Sequence, residues 1–207
     1  MFEIEGFILA GGASSRMGTD KARLRLGRKQ FAEHIAEALG GVAQVVTLVG
    51  ARDFSAAWGM PNAPDVYSGW GALGGLHAAL SACRAPWAAV VACDLPFVTR
   101  ELFRELARLR EGYDAVVPVQ PDGRWQPLCA LYRAAPCLVQ AEILIKEGER
   151  RPRALLRRVH TRAVAPEELA GLRGAELFFS NVNTPEDYLR ATKEGMRNED
   201  EGMKEAG

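Results

Sequence analysis

Short apolar runs alternate with segments of helical spacing through the first half of the chain. Short continuous apolar runs indicate buried strands. Such runs lie at Phe7–Ala10, Val42–Val49, Trp87–Cys93 and Ala115–Val119. Helical spacing is found at Phe31–Leu39, at Leu73–Ala82, and from Glu101 to about Arg110 behind Thr99 as the expected N-cap. The alternation predicts an α/β fold, with one three-layer α/β/α, Rossmann-like domain built on a mostly parallel sheet.

The pattern changes in the second half of the chain. Asp122-Gly123 is a turn signal, and we predict a strand after it at Trp125–Tyr132. Further elements are predicted as helices at Ala134–Lys146 and Ala154–Val159, a last strand at Glu176–Ser180, and a final helix opened by Pro185. The chain is polar from Gly195 onward. The predicted domain therefore covers residues 1–193, and residues 194–207 form a polar tail.

Composition and charge narrow the class of protein. The chain has 207 residues, of which 48% are hydrophobic and 25% are charged, as in a globular protein of one domain. The formal net charge is zero, which argues against a nucleic-acid binder. Apolar runs are too short to cross a membrane, and Met1–Glu5 does not resemble the start of a signal peptide. A cytoplasmic location is therefore expected.

Cysteines, histidines and clustered arginines give weaker indications. No C-x-x-C pair occurs, and we interpret the cysteines as small buried residues in a reducing compartment: Cys83, Cys93, Cys129 and Cys137. The histidines share no metal-binding spacing and are interpreted as surface or helix residues: His34, His77 and His160. The main basic cluster is Arg150, Arg151, Arg153, Arg157 and Arg158. It is either a solvated helix face or a local patch that attracts a phosphorylated substrate.

The glycine-rich segment Leu9–Lys21 carries the most specific chemistry. A predicted strand runs into a loop that contains Gly11, Gly12 and Arg16 and ends at Lys21. Glycines let backbone N–H groups approach an anion closely, and successive N–H groups form an anion-binding concavity. The guanidinium of Arg16 and the ammonium of Lys21 can bind phosphate oxygens. The segment therefore predicts a triphosphate site, although it matches neither of the two commonest phosphate-loop patterns.

Two aspartates follow predicted strands. Asp94 comes directly after the third strand, and we predict that it binds Mg²⁺, which prefers one or two carboxylates together with phosphate oxygens and water. The alternative, that Asp94 caps the next helix, is weakened because Thr99 is a better cap. Asp65 precedes the glycine cluster Gly69–Gly75, where a helix begins. That cluster can face an anion, can let a nucleobase lie against bare backbone, or can be an ordinary loop.

Two asparagines near the end of the predicted domain form a further candidate site. Asn181 and Asn183 flank Val182, so their amides lie on one face of an extended segment. They can bind a polar acceptor substrate or a metal-bound water. The alternative is purely structural, because Thr184 also suits the cap of the final helix.

Taken together, these motifs resemble the molybdenum cofactor guanylyltransferases of the MobA family. The resemblance is carried by LAGGASSRMGTDK at residues 9–21, CDLP at residues 93–96 and NVNTPEDY at residues 181–188. It covers the chain from Phe7 to about Leu189. The resemblance implies a nucleotidyltransferase domain in which GTP reacts with Mo-molybdopterin to give molybdopterin guanine dinucleotide and pyrophosphate.

The resemblance also implies roles for single residues and for partners. Nucleotide contacts are implied for Leu9, Ala10, Gly11, Gly12, Lys21, Asp65 and Asp94. Asp94 would hold Mg²⁺, and Asn181 and Asn183 would face the pterin. Arg16, Lys21 and Asp94 would carry the catalysis. Proteins that deliver the pterin and proteins that mature molybdoenzymes are implied partners.

Two positions depart from the usual family pattern. Ala51-Arg52 stands where an asparagine often precedes the arginine, and Gly71-Ala72-Leu73 stands where Gly-Pro-Leu is usual. Both lie near the expected base site, so they bear on guanine recognition more than on the fold. The alternatives are a cytidylyltransferase for the same pterin, a sugar-phosphate nucleotidyltransferase, and, in another class, a catalytically silent nucleotide-binding module. Cytidylyl relatives usually have Ala-Ala-Gly at Ala10-Gly11-Gly12, which favours GTP here.

Overall fold

A seven-stranded sheet organises the part of the chain that the structure describes. The structure is a computed structural model and describes residues 3–11, 21–51 and 59–193. In chain order the strands are β1 (Ile4–Leu9), β2 (Arg25–Leu26), β3 (Lys29–Gln30), β4 (Val46–Val49), β5 (Asn62–Ala63), β6 (Trp87–Ala92), β7 (Ala115–Pro118), β8 (Cys129–Arg133) and β9 (Thr161–Val164). The sheet order is β5-β4-β1-β6-β8-β7-β9, while β2 and β3 form a separate hairpin. Within the sheet only β8 runs antiparallel to its neighbours, so the sheet is mostly parallel, as predicted.

Helices connect most of the strands. They are α1 (Phe31–Leu39), α2 (Gly71–Ala82), α3 (Arg100–Arg108), α4 (Ala134–Lys146), α5 (Arg153–Leu156), α6 (Pro166–Leu169) and α7 over residues 185–193, with a 3₁₀ turn at Lys21–Arg23. The predicted caps are present. Thr99 Oγ1 accepts a hydrogen bond from the Leu102 N–H at 3.3 Å, and Thr184 Oγ1 accepts one from the Asp187 N–H at 3.1 Å.

Alternate residues of the central strands feed two separate cores. Ile8 of β1 packs in a core with the apolar faces of α1 and α3. Its neighbours Phe7 and Leu9 pack in a second core with α2 and α4. Because successive side chains of a strand point to opposite faces, the helices cover both sides of the sheet. This confirms the predicted three-layer α/β/α architecture.

Several predicted element boundaries are wrong. Residues 173–179 form turns, so the predicted strand Glu176–Ser180 does not exist. The side chain of Phe178 is buried and anchors these turns to the core. The strand that does complete the sheet is β9, which no motif indicates. Strand β4 begins at Val46 because the N–H groups of residues 42 and 43 still bond back to the Leu39 carbonyl, at 3.0 and 2.9 Å. Trp125 pairs only through an isolated bridge to Val119, so β8 begins later than predicted.

Two further expectations concern the cysteines and the tail. All four cysteines are free thiols, and burial raises the pKa of the Cys129 and Cys137 side chains, so both are inert core residues. Cys83 and Cys93 are only partly buried. The predicted tail, residues 194–207, lies outside the described residues. Within the described ranges, no helix is both long enough and apolar enough to cross a membrane.

Candidate functional site

The carboxyl ends of β1, β4 and β6 meet at one edge of the sheet. The backbone N–H groups of Ala10 and Gly11 both donate to the carbonyl of Val49, at 2.9 and 3.0 Å. On the other side of β1, the Cys93 N–H donates to the Leu9 carbonyl at 3.1 Å. These bonds bring the start of the glycine-rich loop next to the ends of the two neighbouring strands. In an open α/β sheet this edge is where ligands bind.

Asp65 lies against two glycines at this edge. A methyl group on Gly11 would stand 3.3 Å from Asp65 Oδ2 and 3.2 Å from both the Cα and the carbonyl oxygen of Gly50. Gly50 itself has φ +70°, and a methyl group there would stand 3.0 Å from Asp65 Oδ2. The three residues therefore fit together only because two of them lack side chains. The Asp65 carboxylate is exposed and faces this narrow backbone cleft.

Asp94 is tied to the asparagine segment by its backbone. The Val182 N–H donates to the Asp94 carbonyl at 3.0 Å, and the Val182 side chain is buried beneath the segment. Asn181 and Asn183 on either side are exposed. The structure thus brings Asp94 and both predicted asparagines to the same place, although they are almost ninety positions apart in sequence.

The asparagine segment is also held by the start of α7. The Asp187 carboxylate accepts hydrogen bonds from the N–H groups of Asn183 and Thr184, at 3.1 and 3.0 Å. The bond from the Asn183 N–H and the ion pair with Arg190 hold the pKa of Asp187 below its ordinary value. Thr184 therefore caps the final helix, and the side chains of Asn181 and Asn183 lie at the surface.

The segment between Asp65 and α2 has little backbone support of its own. Gly69 and Gly71 have φ values of +79° and +60° with open space around them. Two aromatic rings anchor the segment, because Tyr67 packs edge-on against Trp70 with ring centroids 6.4 Å apart. Trp70 can pack against the first turn of α2 because Gly74 has no side chain. A methyl group on Gly74 would stand 2.9 Å from Trp70 Cβ.

Two arginines of the basic cluster form local ion pairs. Arg151 pairs with Glu149 and Arg158 pairs with Glu147, each at 2.7 Å. Arg150 differs, because its guanidinium lies over the ring of Trp70, 5.2 Å from the centroid. The cluster is thus adjacent to the segment that follows Asp65.

His77 is the one histidine of the three that the structure buries. It lies in α2 with 3% of its side chain exposed, its ring 4.8 Å from that of Tyr67 and its Nε2 3.7 Å from Glu142 Oε1 on α4. Burial lowers the pKa of His77 from the ordinary 6.5, and the nearby Glu142 carboxylate opposes this effect. His77 is therefore held neutral under the Asp65 segment.

The lowered pKa of His77 predicts a loss of stability on acidification. Below the ordinary pKa, His77 binds a proton more readily in the unfolded chain than in the folded chain. The contribution of His77 to the free energy of unfolding is therefore full above about pH 6.5 and is lost as the pH falls through its lowered pKa in the folded protein. In His77→Phe, we expect a smaller decrease in the melting temperature between about pH 7.5 and about pH 5.5 than in the wild type. Glu142→Gln should show a larger decrease. Equal decreases in all three proteins would contradict this origin.

Part of the predicted site lies outside the described residues. Gly12 and Arg16 belong to the undescribed part of the glycine-rich loop, and for Lys21 only the backbone is described, as the first residue of the 3₁₀ turn. Among the described residues, no group of three histidine, cysteine, aspartate or glutamate side chains could hold a metal ion by itself.

Comparisons with known proteins identify the family to which this fold belongs. Residues 6–164 match the family described as "MobA-like NTP transferase domain". A protein of Pelotomaculum thermopropionicum named "probable molybdenum cofactor guanylyltransferase" is 36% identical over 92% of this chain and 93% of its own. A protein of Carboxydothermus hydrogenoformans with the same name is 35% identical over 90% of this chain and 93% of its own. The crystal structure of molybdopterin-guanine dinucleotide biosynthesis protein A from Archaeoglobus fulgidus superposes with a TM-score of 0.79, at 27% identity, over 93% of this chain and 99% of that one.

The chain belongs to the MobA-like NTP transferase family. The matched range includes Leu9–Gly11, Asp65 and Asp94, whereas Asn181 and Asn183 lie beyond it. The predicted site residues of this MobA-like chain therefore divide into a shared nucleotidyltransferase part and a carboxyl-terminal part that the structure joins to it through Asp94. Gly50 lies against the predicted site residues Gly11 and Asp65, although the motifs do not indicate it; the available signal was a glycine directly after a strand.

Proposed function

We propose that this protein transfers GMP from GTP to the terminal phosphate of Mo-molybdopterin, giving molybdopterin guanine dinucleotide and pyrophosphate. The observation that carries the proposal is the meeting of Gly11, Gly50 and Asp65 at the carboxyl edge of the sheet, where a hydrogen bond from the Cys93 N–H to the Leu9 carbonyl also brings the end of β6, just before Asp94, next to β1. The relatives that match nearly the whole chain are named probable molybdenum cofactor guanylyltransferases, and this name supplies the substrate class. The protein would act in molybdenum cofactor biosynthesis in the cytoplasm, with pterin-delivering and molybdoenzyme-maturing proteins as partners.

The donor nucleotide would lie along the glycine-rich loop. Leu9, Ala10 and Gly11 present backbone rather than bulky side chains at the end of β1, and Asp65 offers a carboxylate that can accept hydrogen bonds from the N–H groups of guanine. Further along the loop, Gly12 would allow close approach. Arg16 and Lys21 would neutralise the charge that develops on the departing pyrophosphate.

Asp94 fits the role of a Mg²⁺ ligand. Mg²⁺ is bound in proteins by one or two carboxylates with substrate phosphates and water completing the shell, which suits an edge with this carboxylate and no preformed cage among the described residues. When bound, the ion would neutralise and orient the phosphates. Asp94 would hold it at the end of β6, where the backbone bond from Val182 fixes the position of the residue.

The acceptor would approach from the asparagine segment. The exposed amides of Asn181 and Asn183 can bind polar groups of the pterin, next to Asp94. One oxygen of the acceptor phosphate forms a bond to the α-phosphorus, and the bond from that phosphorus to the bridging oxygen of pyrophosphate breaks. The acceptor phosphate is already anionic near neutral pH, so no strong base is needed, and catalysis consists mainly of positioning and charge neutralisation.

A panel of nucleotides tests the proposal against its alternatives. If the base site satisfies guanine, cytosine would leave at least two polar groups unpaired, each costing about 1–3 kcal/mol. We therefore expect kcat/KM for GTP to exceed that for CTP by roughly 10²-fold or more, with the same pterin acceptor. The measurement is pyrophosphate release, followed by the mass of the product. A reaction without acceptor is the control.

Each other outcome selects a different function. A preference for CTP would make the protein a pterin cytidylyltransferase. A product formed only with sugar phosphates would indicate a sugar-phosphate nucleotidyltransferase. Nucleotide binding without pyrophosphate release from any triphosphate would identify a silent binding module.

A further inference from the structure

The segment Asp65–Gly71 presents a candidate ligand carboxylate but lies almost entirely at the surface. Within it, only Tyr67 and Trp70 are partly buried, while the other residues are exposed. Within the segment, the Trp70 N–H donates to the Tyr67 carbonyl at 3.3 Å. Gly69 and Gly71 both have positive φ, and glycine is the least restricted residue. The backbone of the segment therefore does little to fix its own conformation. Asp65 follows β5, whose Ala63 carbonyl accepts a hydrogen bond from the Gly50 N–H at 2.9 Å, whereas the rest of the segment depends on what holds the two rings.

Arg150 holds the outer side of this segment from a distant part of the chain. Its guanidinium carbon lies 5.2 Å from the centroid of the Trp70 ring, within the range of a cation–π contact. Its Nη1 also donates to the carbonyl of Gly69 at 3.4 Å. One side chain thus contacts both a ring and a backbone carbonyl of the segment, eighty positions away in sequence.

The backbone of Arg150 is itself fixed at the end of α4. The Glu149 carboxylate accepts hydrogen bonds from the N–H groups of Arg150 and Arg151, at 2.8 and 3.0 Å, and the Glu149 N–H donates to the Leu144 carbonyl at 2.9 Å. The bonds from Arg151 hold the pKa of Glu149 at about 2, so this carboxylate stays ionised at all ordinary pH values. The backbone from which the Arg150 side chain extends is therefore held in place by these hydrogen bonds.

We propose that Arg150 is a positioning residue that acts through Trp70 and Gly69 to hold the Asp65 segment against the nucleotide. The inference rests on the proposed function for the identity of the ligand, but the mechanical contact does not. Tyr67, packed on the buried His77, anchors the inner side of the same segment. Arg150 supplies the outer anchor, and removing it frees the part of the segment nearest the start of α2.

The first test measures the segment without any ligand. In Arg150→Ala, hydrogen exchange of the amides in residues 66–71 should become faster than in the wild type. Lys146→Ala removes one positive charge from the exposed last residue of α4, four positions before Arg150, and is the matched control. Unchanged exchange in Arg150→Ala, or equally fast exchange in Lys146→Ala, would overturn the proposal.

The second test measures coupling to the nucleotide. We expect Arg150→Ala to weaken GTP–Mg²⁺ binding in calorimetry by roughly 5- to 20-fold, the combined loss of a cation–π contact and a hydrogen bond to a charged donor. Saturated turnover should change by no more than about twofold, because the lost interaction acts equally on ground and transition states. Arg150→Lys should recover part of the affinity, and Trp70→Phe should retain most of it.

A double-mutant cycle separates action through Trp70 from a general effect of charge. Trp70→Ala alone should weaken GTP binding, and adding Arg150→Ala to it should cost much less than Arg150→Ala costs in the wild type. Full additivity, or faster exchange with unchanged GTP affinity, would overturn the proposal. Failure of the proposed function looks different, because it would appear in the wild type itself, as a preference for CTP, as turnover only with sugar phosphates, or as nucleotide binding without pyrophosphate release, whereas failure of the Arg150 proposal appears only in the variants.

Discussion

Asp94→Ala is expected to lose about 10³-fold in turnover, because neutralisation of phosphate charge by a bound metal is worth several kcal/mol and each ~1.4 kcal/mol is a factor of ten. The fold should survive the change. The adjoining helix α3 is capped by Thr99, and the bond that Asp94 makes to Val182 uses its backbone carbonyl, which alanine retains. The loss should therefore appear in the rate while the melting temperature stays nearly unchanged.

Two controls distinguish a metal ligand from a merely sensitive position. Glu111→Ala removes an exposed carboxylate in the turn before β7, at the opposite edge of the sheet, and should retain wild-type turnover. Wild-type protein in excess EDTA should fall to the rate of Asp94→Ala, and added Mg²⁺ should restore the wild type alone. Full turnover of folded Asp94→Ala with Mg²⁺ would remove this residue from the site.

The fold was largely predictable because its signals are local. The apolar runs at β1 and β6 are buried on both faces, and buried parallel strands are the elements that a continuous apolar run indicates best. The helix Ala134–Lys146 agrees with its prediction residue for residue. Strand β9 was not predictable in this way, because TRAV is short and only its last residue is fully buried. The apolar residues near Phe178 gave a false strand, since a buried anchor in a turn has the same local pattern.

The site was predictable only in its motif residues. Glycines and aspartates at strand ends carry recognisable chemistry, so Gly11, Asp65 and Asp94 could be named from the sequence. Gly50 also follows a strand, but it belongs to no motif, and its importance comes from contact with residues of two other segments. The Arg150–Trp70 contact could not be predicted for the same reason. It joins residues eighty positions apart, and neither residue type indicates the other in the sequence. Sequence motifs identify what touches a ligand more readily than what holds those residues in place.

Gly50→Ala and Gly11→Val are expected to reduce kcat/KM by about 10²-fold or more, because a misplacement of about 1 Å in a reacting group can cost that much. A methyl group on Gly50 would stand 3.0 Å from both Gly11 Cα and Asp65 Oδ2, and backbone cannot swing aside as a flexible side chain can. Gly50 also has φ +70°, which resists any other residue. In Gly11→Val, the branched side chain meets the Gly50 backbone and leaves little room for a nucleotide.

Backbone strain and blockage of the cleft can be separated, because the chain offers a glycine with the same conformation and no neighbours. Gly112 has φ +79° with nothing within 4 Å of an added methyl group, and it lies in the turn before β7, away from the candidate site. Gly112→Ala should therefore share the stability loss that comes from strain, about 1 kcal/mol, while keeping wild-type turnover. Gly50→Ala should lose both stability and turnover, and should bind GTP more weakly because Asp65 is displaced. If Gly50→Ala instead behaved like Gly112→Ala, with reduced melting temperature and normal kinetics, the cleft between Gly11, Gly50 and Asp65 would not be the nucleotide site.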